Sequence, residues 1–157
     1  MWLLLWGCAH VEPAIAQHYS GTYTYAWSNG EEPGYGSGSL SIQTDGRWES
    51  TYHVGGICRG WGLFSSFYRL LYPDPPAFQQ GRWRMREDWL VLRRRGHAVA
   101  ELQLVNYDGK SWMVNSYQLA EICSGPQRVD WTRIYQSGSP RTNLPPVDEV
   151  CGGRPKP

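Results

Sequence analysis

Apolar and polar residues alternate in short stretches along the chain, and this pattern predicts β-strands. In the stretch 39–44, for example, Leu40 and Ile42 fall on one face and the polar residues between them on the other. The predicted strands are 21–27, 39–44, 48–54, 82–86, 89–93, 98–107, 111–114 and 130–135. Since short turns join most of these neighbours, the pattern predicts an all-β, mainly antiparallel fold, a small up-and-down barrel or sandwich of about eight strands.

Two Asp-Gly dipeptides mark the clearest turns. Asp45-Gly46 is expected to form a type I′ hairpin turn, in which both central residues have positive φ, and Asp108-Gly109 turns the chain between two later strands. On the strand after the first of these turns, the period of two places Trp48 on one face and His53 on the other. The turns therefore support a series of consecutive hairpins.

Two segments break the strand pattern and predict short helices. In 59–72 the large apolar residues recur at helical spacing, and Pro73 ends the run. In 115–123, Asn115 as N-cap and Gln118 three residues later form the arrangement of a capping box. Both helices are expected to be accessories to the sheet.

The N-terminal residues indicate export. The apolar run that ends at Cys8 resembles the lipobox of bacterial lipoproteins, in which a cysteine is lipidated and becomes the mature N-terminus. Alternatively, Ala14-Ile15-Ala16 is an A-x-A cleavage site that would release a soluble protein beginning at Gln17. Both interpretations predict a periplasmic, outer-membrane-anchored or secreted bacterial protein. The remaining alternative is a cytosolic protein with an apolar N-terminal strand.

These features divide the chain into three parts. Residues 1–16 are the expected signal or anchor region, and 17–135 the barrel-like domain. The last part, 136–157, contains five prolines and no periodic apolar residues. It is expected to be extended or disordered unless Cys151 attaches it to the domain.

Cysteine usage agrees with export. Cys58, Cys123 and Cys151 are present in either mature form, and none belongs to a C-x-x-C pair, which disfavours a structural zinc site. A disulfide is the better interpretation in an oxidising compartment. We favour Cys58 with Cys123, whose loop closure contributes about 4 kcal/mol in the chain-entropy model. The alternative, Cys123 with Cys151, would attach the tail.

Composition and charge restrict the classes of binding partner that we expect. The 9 Trp and 10 Tyr among 157 residues suit half-buried sheet surfaces. The formal net charge is +1, so no nucleic-acid partner is expected. After the N-terminal region no stretch reaches the roughly 18 to 20 consecutive apolar residues of a spanning helix. Any membrane attachment is therefore expected to be by a lipid anchor at most.

No local motif predicts a reaction centre. Gly36-Ser37-Gly38 lies in a polar hairpin and is not a nucleophile elbow. The four histidines lack the spacing that metal ligands require; they are His10, His18, His53 and His97. Adjacent carboxylates such as Glu87-Asp88 fall in predicted turns, where they stay solvated rather than converging on a substrate. We therefore expect a protein without catalytic activity, cofactor or metal.

Two stretches carry a family resemblance. The residues 40–92 follow the order L-x-I-x-x-D-G-x-W, a cysteine with glycines, G-x-W and W-L-x-L. This order resembles small lipocalin-like, barrel-type bacterial lipoproteins, and the segment 105–123 is similar to one in exported bacterial proteins without an assigned activity. The resemblance implies an exported barrel. Gly21-Thr22-Tyr23 stands where a lipocalin carries Gly-x-Trp, so no functional residue is transferred.

The first candidate binding feature is a basic hairpin. Residues 81–95 contain six arginines against Glu87 and Asp88, a local excess of +4. Strand alternation places several of them on one outer face, namely Arg82, Arg84, Arg86 and Arg93. Such a face could bind an anionic envelope component through bidentate contacts. The alternative is a charged outer surface that resists aggregation.

The second candidate is the apolar helix predicted within 59–72. As a lid over a barrel mouth, it would line a pocket for an apolar small molecule with Trp61, Phe64, Phe67 and Tyr68. The same helix could instead plug the barrel end or contact a membrane interface. Taken together, the sequence predicts a cell-envelope binding or interaction module. The alternatives are a periplasmic enzyme with a dispersed active site and an inhibitor of a hydrolase.

Overall fold

A computed structural model describes residues 12–29, 34–55, 78–139 and 141–152. Eight antiparallel strands pair in chain order and close into a barrel. They are β1 Gly21–Asn29, β2 Gly34–Ile42, β3 Arg47–Gly55, β4 Phe78–Arg86, β5 Trp89–Arg94, β6 His97–Tyr107, β7 Lys110–Asn115 and β8 Tyr135–Ser137. The described helices are α1 Pro13–Tyr19, α2 Ser116–Ser124 and α3 Val147–Gly152. The all-β prediction is confirmed, and of its two architectures the barrel is the one that forms.

The shortest strand, β8, closes the barrel. It pairs with β1 through Tyr23 and Ser137, and with β7 through Met113 and Tyr135. The predicted strand 130–135 is wrong over most of its length, because a 3-10 turn occupies Trp131–Arg133. The carboxylate of Asp130 caps this turn by accepting the N–H of Thr132 at 3.2 Å. Side-chain capping therefore outweighs the strand preference of the segment.

The Asp45-Gly46 turn forms the expected hairpin with a different geometry. Gly46 alone of this pair has a positive φ, 83°, and its N–H donates to the carbonyl of Gln43 at 3.2 Å. The type I′ expectation is therefore wrong: the turn spans 43–46 and ends at a left-handed glycine. Asp108 and Gly109 both have positive φ, 50° and 69°, as a type I′ turn requires.

The barrel interior is most tightly packed at the end where β1 begins, which we call the α1 end. The buried cluster there consists of Ala16, Tyr23, Leu40, Ile42, Trp48, Trp83, Leu90, Leu92, Leu102, Leu104, Met113 and Leu144. The indole N–H of Trp48 donates to the carbonyls of Arg82 and Arg93, both at 3.1 Å. Helix α1 covers this end and contributes Ala16, which is 2% exposed.

Arg141 attaches the C-terminal segment to α1. Its guanidinium donates to the carbonyl of His18 at 2.6 Å, to that of Ser20, and to the hydroxyl of Ser137 at 3.3 Å. It also lies 5.2 Å from the ring centroid of Tyr23. A cation is well placed here, because the last carbonyls of a helix carry partial negative charge.

The predicted division between 17–135 and 136–157 does not coincide with a boundary in the structure. Strand β8 extends to Ser137, and Leu144 and Val147 are buried. The described part of 136–157 includes the end of β8 and helix α3, which carries Cys151. Within the first part, α1 includes residues 13–16, which sequence analysis assigned to the signal region.

A second apolar cluster lies outside the barrel. Helices α2 and α3 cover the outer face of β6 and β7 and bury Val105, Trp112, Val114, Leu119, Ile122, Ile134 and Val147. The predicted capping box begins α2. The Gln118 N–H donates to the Asn115 side chain at 2.9 Å, and the Asn115 N–H donates to the Gln118 side chain at 3.0 Å. The expected helix 115–123 is confirmed.

The disulfide joins Cys123 of α2 to Cys151 of α3. The favoured pairing of Cys58 with Cys123 is therefore wrong, because the sulfur of Cys123 is bonded to Cys151. Both α2 and α3 pack on the same outer sheet face, and this packing brings the two cysteines to a Cα separation of 5.4 Å. Cys58 lies outside the described residues.

Replacing both Cys123 and Cys151 by Ser is expected to lower the free energy of unfolding by about 3 to 4 kcal/mol, because the bond closes a loop of sequence separation 28. Urea denaturation monitored by tryptophan fluorescence measures the change. Non-reducing peptide mapping of the unmodified protein should recover Cys123 linked to Cys151. Recovery of a Cys58–Cys123 peptide would contradict the assignment.

Candidate functional site

The predicted lid residues are outside the described part of the chain. Trp61, Phe64, Phe67 and Tyr68, like Cys8, belong to ranges on which the structure gives no description. The segment that contains the four aromatic residues connects β3 to β4. β3 ends and β4 begins at the end of the barrel opposite α1. We call this end the aromatic end.

The predicted basic face lies on the outside of the barrel. Arg82, Arg84 and Arg86 are exposed at alternate positions of β4, on the side opposite the buried Trp83. Arg82 has an arginine opposite it on each neighbouring strand: Arg93 on β5 and Arg47 on β3. The structure therefore brings the four predicted arginines onto one face and adds Arg47, which sequence analysis missed because it precedes the predicted strand.

Acidic neighbours compensate part of this charge. Arg86 donates to both carboxylate oxygens of Glu101, at 2.8 and 2.7 Å. Asp45 forms a 2.6 Å ion pair with Arg47, and its hydrogen bonds with Arg47 hold the pKa of its carboxyl below the usual value. Arg82, Arg84 and Arg93 have no ion pair with a carboxylate of the described residues. The excess positive charge is concentrated on these three.

The interior at the aromatic end is built from partly buried rings. Tyr25 and Trp27 follow the buried Tyr23 at alternate positions of β1, so their side chains face inward. Tyr52 of β3 and Tyr135 of β8 share this interior by register. All four rings are half-buried, whereas Tyr23, next along the same face of β1, is 0% exposed. The rings at this end are therefore less completely buried than the core at the α1 end.

Two glycines on β2 make room for these rings. Gly36 is opposite Trp27, and Gly38 is opposite Tyr25. A Cβ at Gly36 would collide with the Trp27 indole, and one at Gly38 would collide with the Tyr25 ring. The rings therefore lie directly on the β2 backbone, an arrangement that only glycine permits at both positions.

Tyr25 and Tyr135 are neutral hydrogen-bonding groups at neutral pH. Burial, together with the nearby Tyr25, raises the pKa of Tyr135 to about 12, although a hydrogen bond with Ser50 opposes the rise. Burial and the neighbouring Tyr52 raise the pKa of Tyr25 as well. Tyr25 and Tyr135 also meet edge to face, with ring centroids 4.9 Å apart.

A cation completes the rim of the aromatic end. The guanidinium of Arg133 lies 4.2 Å from the Trp27 ring centroid, within the range of a cation–π interaction. The resulting site combines apolar ring faces, phenol hydroxyls and a guanidinium that also forms an ion pair with Asp130 at 3.0 Å. The sequence pattern predicts a strand over Tyr23 and Tyr25 but does not indicate this site, since the role of the rings depends on barrel closure.

Comparisons assign no family to the chain. No protein-family model, no curated protein and no solved structure matches it. Within the described ranges, no helix is long and apolar enough to cross a membrane. The same part of the chain contains no group of three or more His, Cys, Asp and Glu residues that could hold a metal ion.

Replacing Arg84 and Arg93 by Ser is expected to weaken retention on a heparin column, shifting elution to lower salt by at least twice the shift caused by a control. The control replaces Lys110 and Arg128 by Ser, which removes the same charge from other parts of the surface. The physical reason is that clustered arginines act on one anionic surface together. Equal shifts for the two variants would refute a localised basic face.

Proposed function

We propose that this protein is a non-catalytic binding module whose barrel takes up a small apolar molecule at the aromatic end. The observation that carries the proposal is the contrast within the barrel: the rings of Tyr25, Trp27 and Tyr135 face inward yet remain half-buried, whereas the core at the α1 end is closely packed. Inward, solvent-accessible aromatic surface gains free energy when an apolar ligand covers it.

The chemistry of the site restricts the ligand class. The ring faces favour a flat apolar or aromatic body, since stacked and edge-on ring contacts contribute about 0.5 to 1.5 kcal/mol beyond area burial. Neutral phenols at Tyr25 and Tyr135 can donate or accept a hydrogen bond at neutral pH, because burial keeps their pKa high. A planar molecule with one or two polar groups fits this set best.

The likeness to lipocalin-like bacterial lipoproteins agrees with this proposal at the level of architecture. An eight-stranded antiparallel barrel closed by a helix at one end is compatible with that group. We propose further that the protein is exported, and the Cys123–Cys151 disulfide supports this because disulfides persist in oxidising compartments.

Of the two export routes, lipidation at Cys8 is the better proposal. Cleavage after Ala16 would divide α1 and remove Ala16 itself, which belongs to the buried core of the barrel. It would also separate the first residues of α1 from the carbonyl groups that Arg141 holds. Lipidation at Cys8 leaves all of α1 in the mature protein.

A second candidate function is binding of an anionic envelope component at the basic face. The observation that favours it is the excess charge of Arg82, Arg84 and Arg93 on the neighbouring strands β4 and β5, where Arg82 and Arg93 are directly opposite each other. Like charges directly opposite one another are unfavourable in a sheet, and a bound anion would relieve this repulsion. The heparin comparison described above tests this function separately from ligand uptake.

The ligand proposal is tested with the fluorescent apolar probe N-phenyl-1-naphthylamine, whose emission rises on transfer from water to an apolar site. The unmodified protein is expected to bind the probe saturably. The Tyr25→Ala variant should bind it about tenfold more weakly, corresponding to the loss of one ring contact of about 1.4 kcal/mol. Circular dichroism checks that the variant is folded.

The matched control is Tyr117→Ala, which removes the same side chain from α2, where it is 83% exposed. Its affinity for the probe should stay within twofold of the unmodified protein. Absence of saturable binding by the unmodified protein would overturn the proposal and favour the interpretation that the 59–72 segment plugs the barrel. Equal weakening by the two variants would overturn it as well.

A further inference from the structure

A surface cavity lies at the α1 end of the molecule, opposite the aromatic end. It has a volume of about 490 Å³, is open to solvent on one side, and lies between α1, the β4–β5 turn, β6 and the C-terminal segment with α3. Its size falls in the range of about 300 to 1,000 Å³ that small-molecule sites occupy. Neither ligand uptake at the aromatic end nor anion binding at the basic face involves this cavity.

The walls of this cavity are held in place by interactions outside it. Arg141 fixes the end of α1 by its hydrogen bonds to His18 and Ser20. The Cys123–Cys151 disulfide fixes α3, which carries Glu149 and Val150. The cavity is therefore preformed, and a ligand would not have to order its walls.

The lining combines apolar surface with negative charge. Tyr19, Trp89 and Pro145 provide aromatic and apolar walls, and Leu104 and Leu144, both buried, provide apolar surface. Asp88 and Glu149 add two carboxylates from separate elements. The lining also includes His18, and it contains neither Lys nor Arg.

The carboxylate of Asp88 acts on the aromatic wall. Asp88 and Tyr19 line the same cavity, and burial together with the charge of Asp88 raises the pKa of Tyr19. The backbone of Tyr19 is also held in place, because the hydroxyl of Tyr23 donates to its carbonyl at 2.7 Å. An aromatic face with a neighbouring carboxylate is the chemistry that binds an organic cation.

We propose that this cavity is a binding site for a small organic cation with an aromatic or apolar body, such as an arylalkylamine. The body would contact Tyr19 and Trp89, and the ammonium group would lie near the carboxylates of Asp88 and Glu149. An anion or a neutral polar molecule lacks the complementary charge, and the volume suits a molecule larger than a bare metal ion. This site is independent of ligand uptake at the aromatic end.

The proposal is tested by titrating the full chain with 2-phenylethylammonium and, separately, with the uncharged analogue 2-phenylethanol, using calorimetry and amide NMR shifts. The cation is expected to bind at least about tenfold more tightly than the alcohol. Its shift changes should concentrate on α1, the β4–β5 turn and α3. Equal affinities of the two compounds, or no binding by the cation, would overturn the proposal.

The chain offers a matched pair of variants. Asp88→Asn with Glu149→Gln removes both lining carboxylates and should weaken binding of the cation about tenfold or more. Glu87→Gln with Asp148→Asn removes the sequence neighbours, which do not line the cavity, and should leave affinity within twofold. Equal effects of the two double variants would refute the site.

A further variant separates the two sites of the molecule. Tyr25→Ala, at the aromatic end, should leave binding of 2-phenylethylammonium unchanged, while the two lining substitutions should leave binding of N-phenyl-1-naphthylamine unchanged. Loss of cation binding in Tyr25→Ala would place the cation inside the barrel and contradict this inference without affecting the first proposal.

Discussion

The guanidinium of Arg141 connects parts of the chain that are far apart in sequence. It donates hydrogen bonds to the last carbonyls of α1 and to Ser137 at the end of β8, the strand that closes the barrel. Hydrogen bonds to a charged group contribute about 1.5 to 3 kcal/mol each. Since β8 has three residues and pairs with only two residues of each neighbour, barrel closure depends on such contacts beyond the sheet.

This closure gives the two ends of the molecule different properties. At the α1 end, the helix, the C-terminal segment and the buried aliphatic side chains pack the interior. At the aromatic end, inward rings lie against the glycines of β2 and remain partly accessible. The ligand uptake that we propose therefore concerns the aromatic end, and the cavity beside α1 is a separate feature of the surface.

Strand positions could be predicted because their signal is local. The alternation around Leu40 and Leu90 and the capping box at Asn115 depend on residues a few positions apart, and the structure has strands and a helix there. The strand 130–135 was wrong because side-chain capping by Asp130 competes with strand preference. The correct disulfide could not be selected, since loop entropy favours the longer loop while helix packing decides which cysteines meet.

Site residues are harder to predict, because most of them come together only when distant parts of the chain pack against one another. The basic face follows from alternation on β4 and was found, except for Arg47, which becomes part of it through pairing of β3 with β4. The aromatic end requires knowledge that β8 returns beside β1 and brings Tyr135 next to Tyr25. The cavity beside α1 assembles residues from four separate segments, and no sequence pattern relates Tyr19 to Asp88 or Glu149.

Ligand uptake at the aromatic end is tested most directly by locating a bound apolar molecule within the barrel. Intermolecular nuclear Overhauser effects between N-phenyl-1-naphthylamine and the protein measure proximity to individual side chains. Uptake at the aromatic end predicts cross-peaks to the ring protons of Tyr25, Trp27 and Tyr135. Cross-peaks confined to the outer surface, such as the exposed rings of Tyr117 and Phe78, would contradict it.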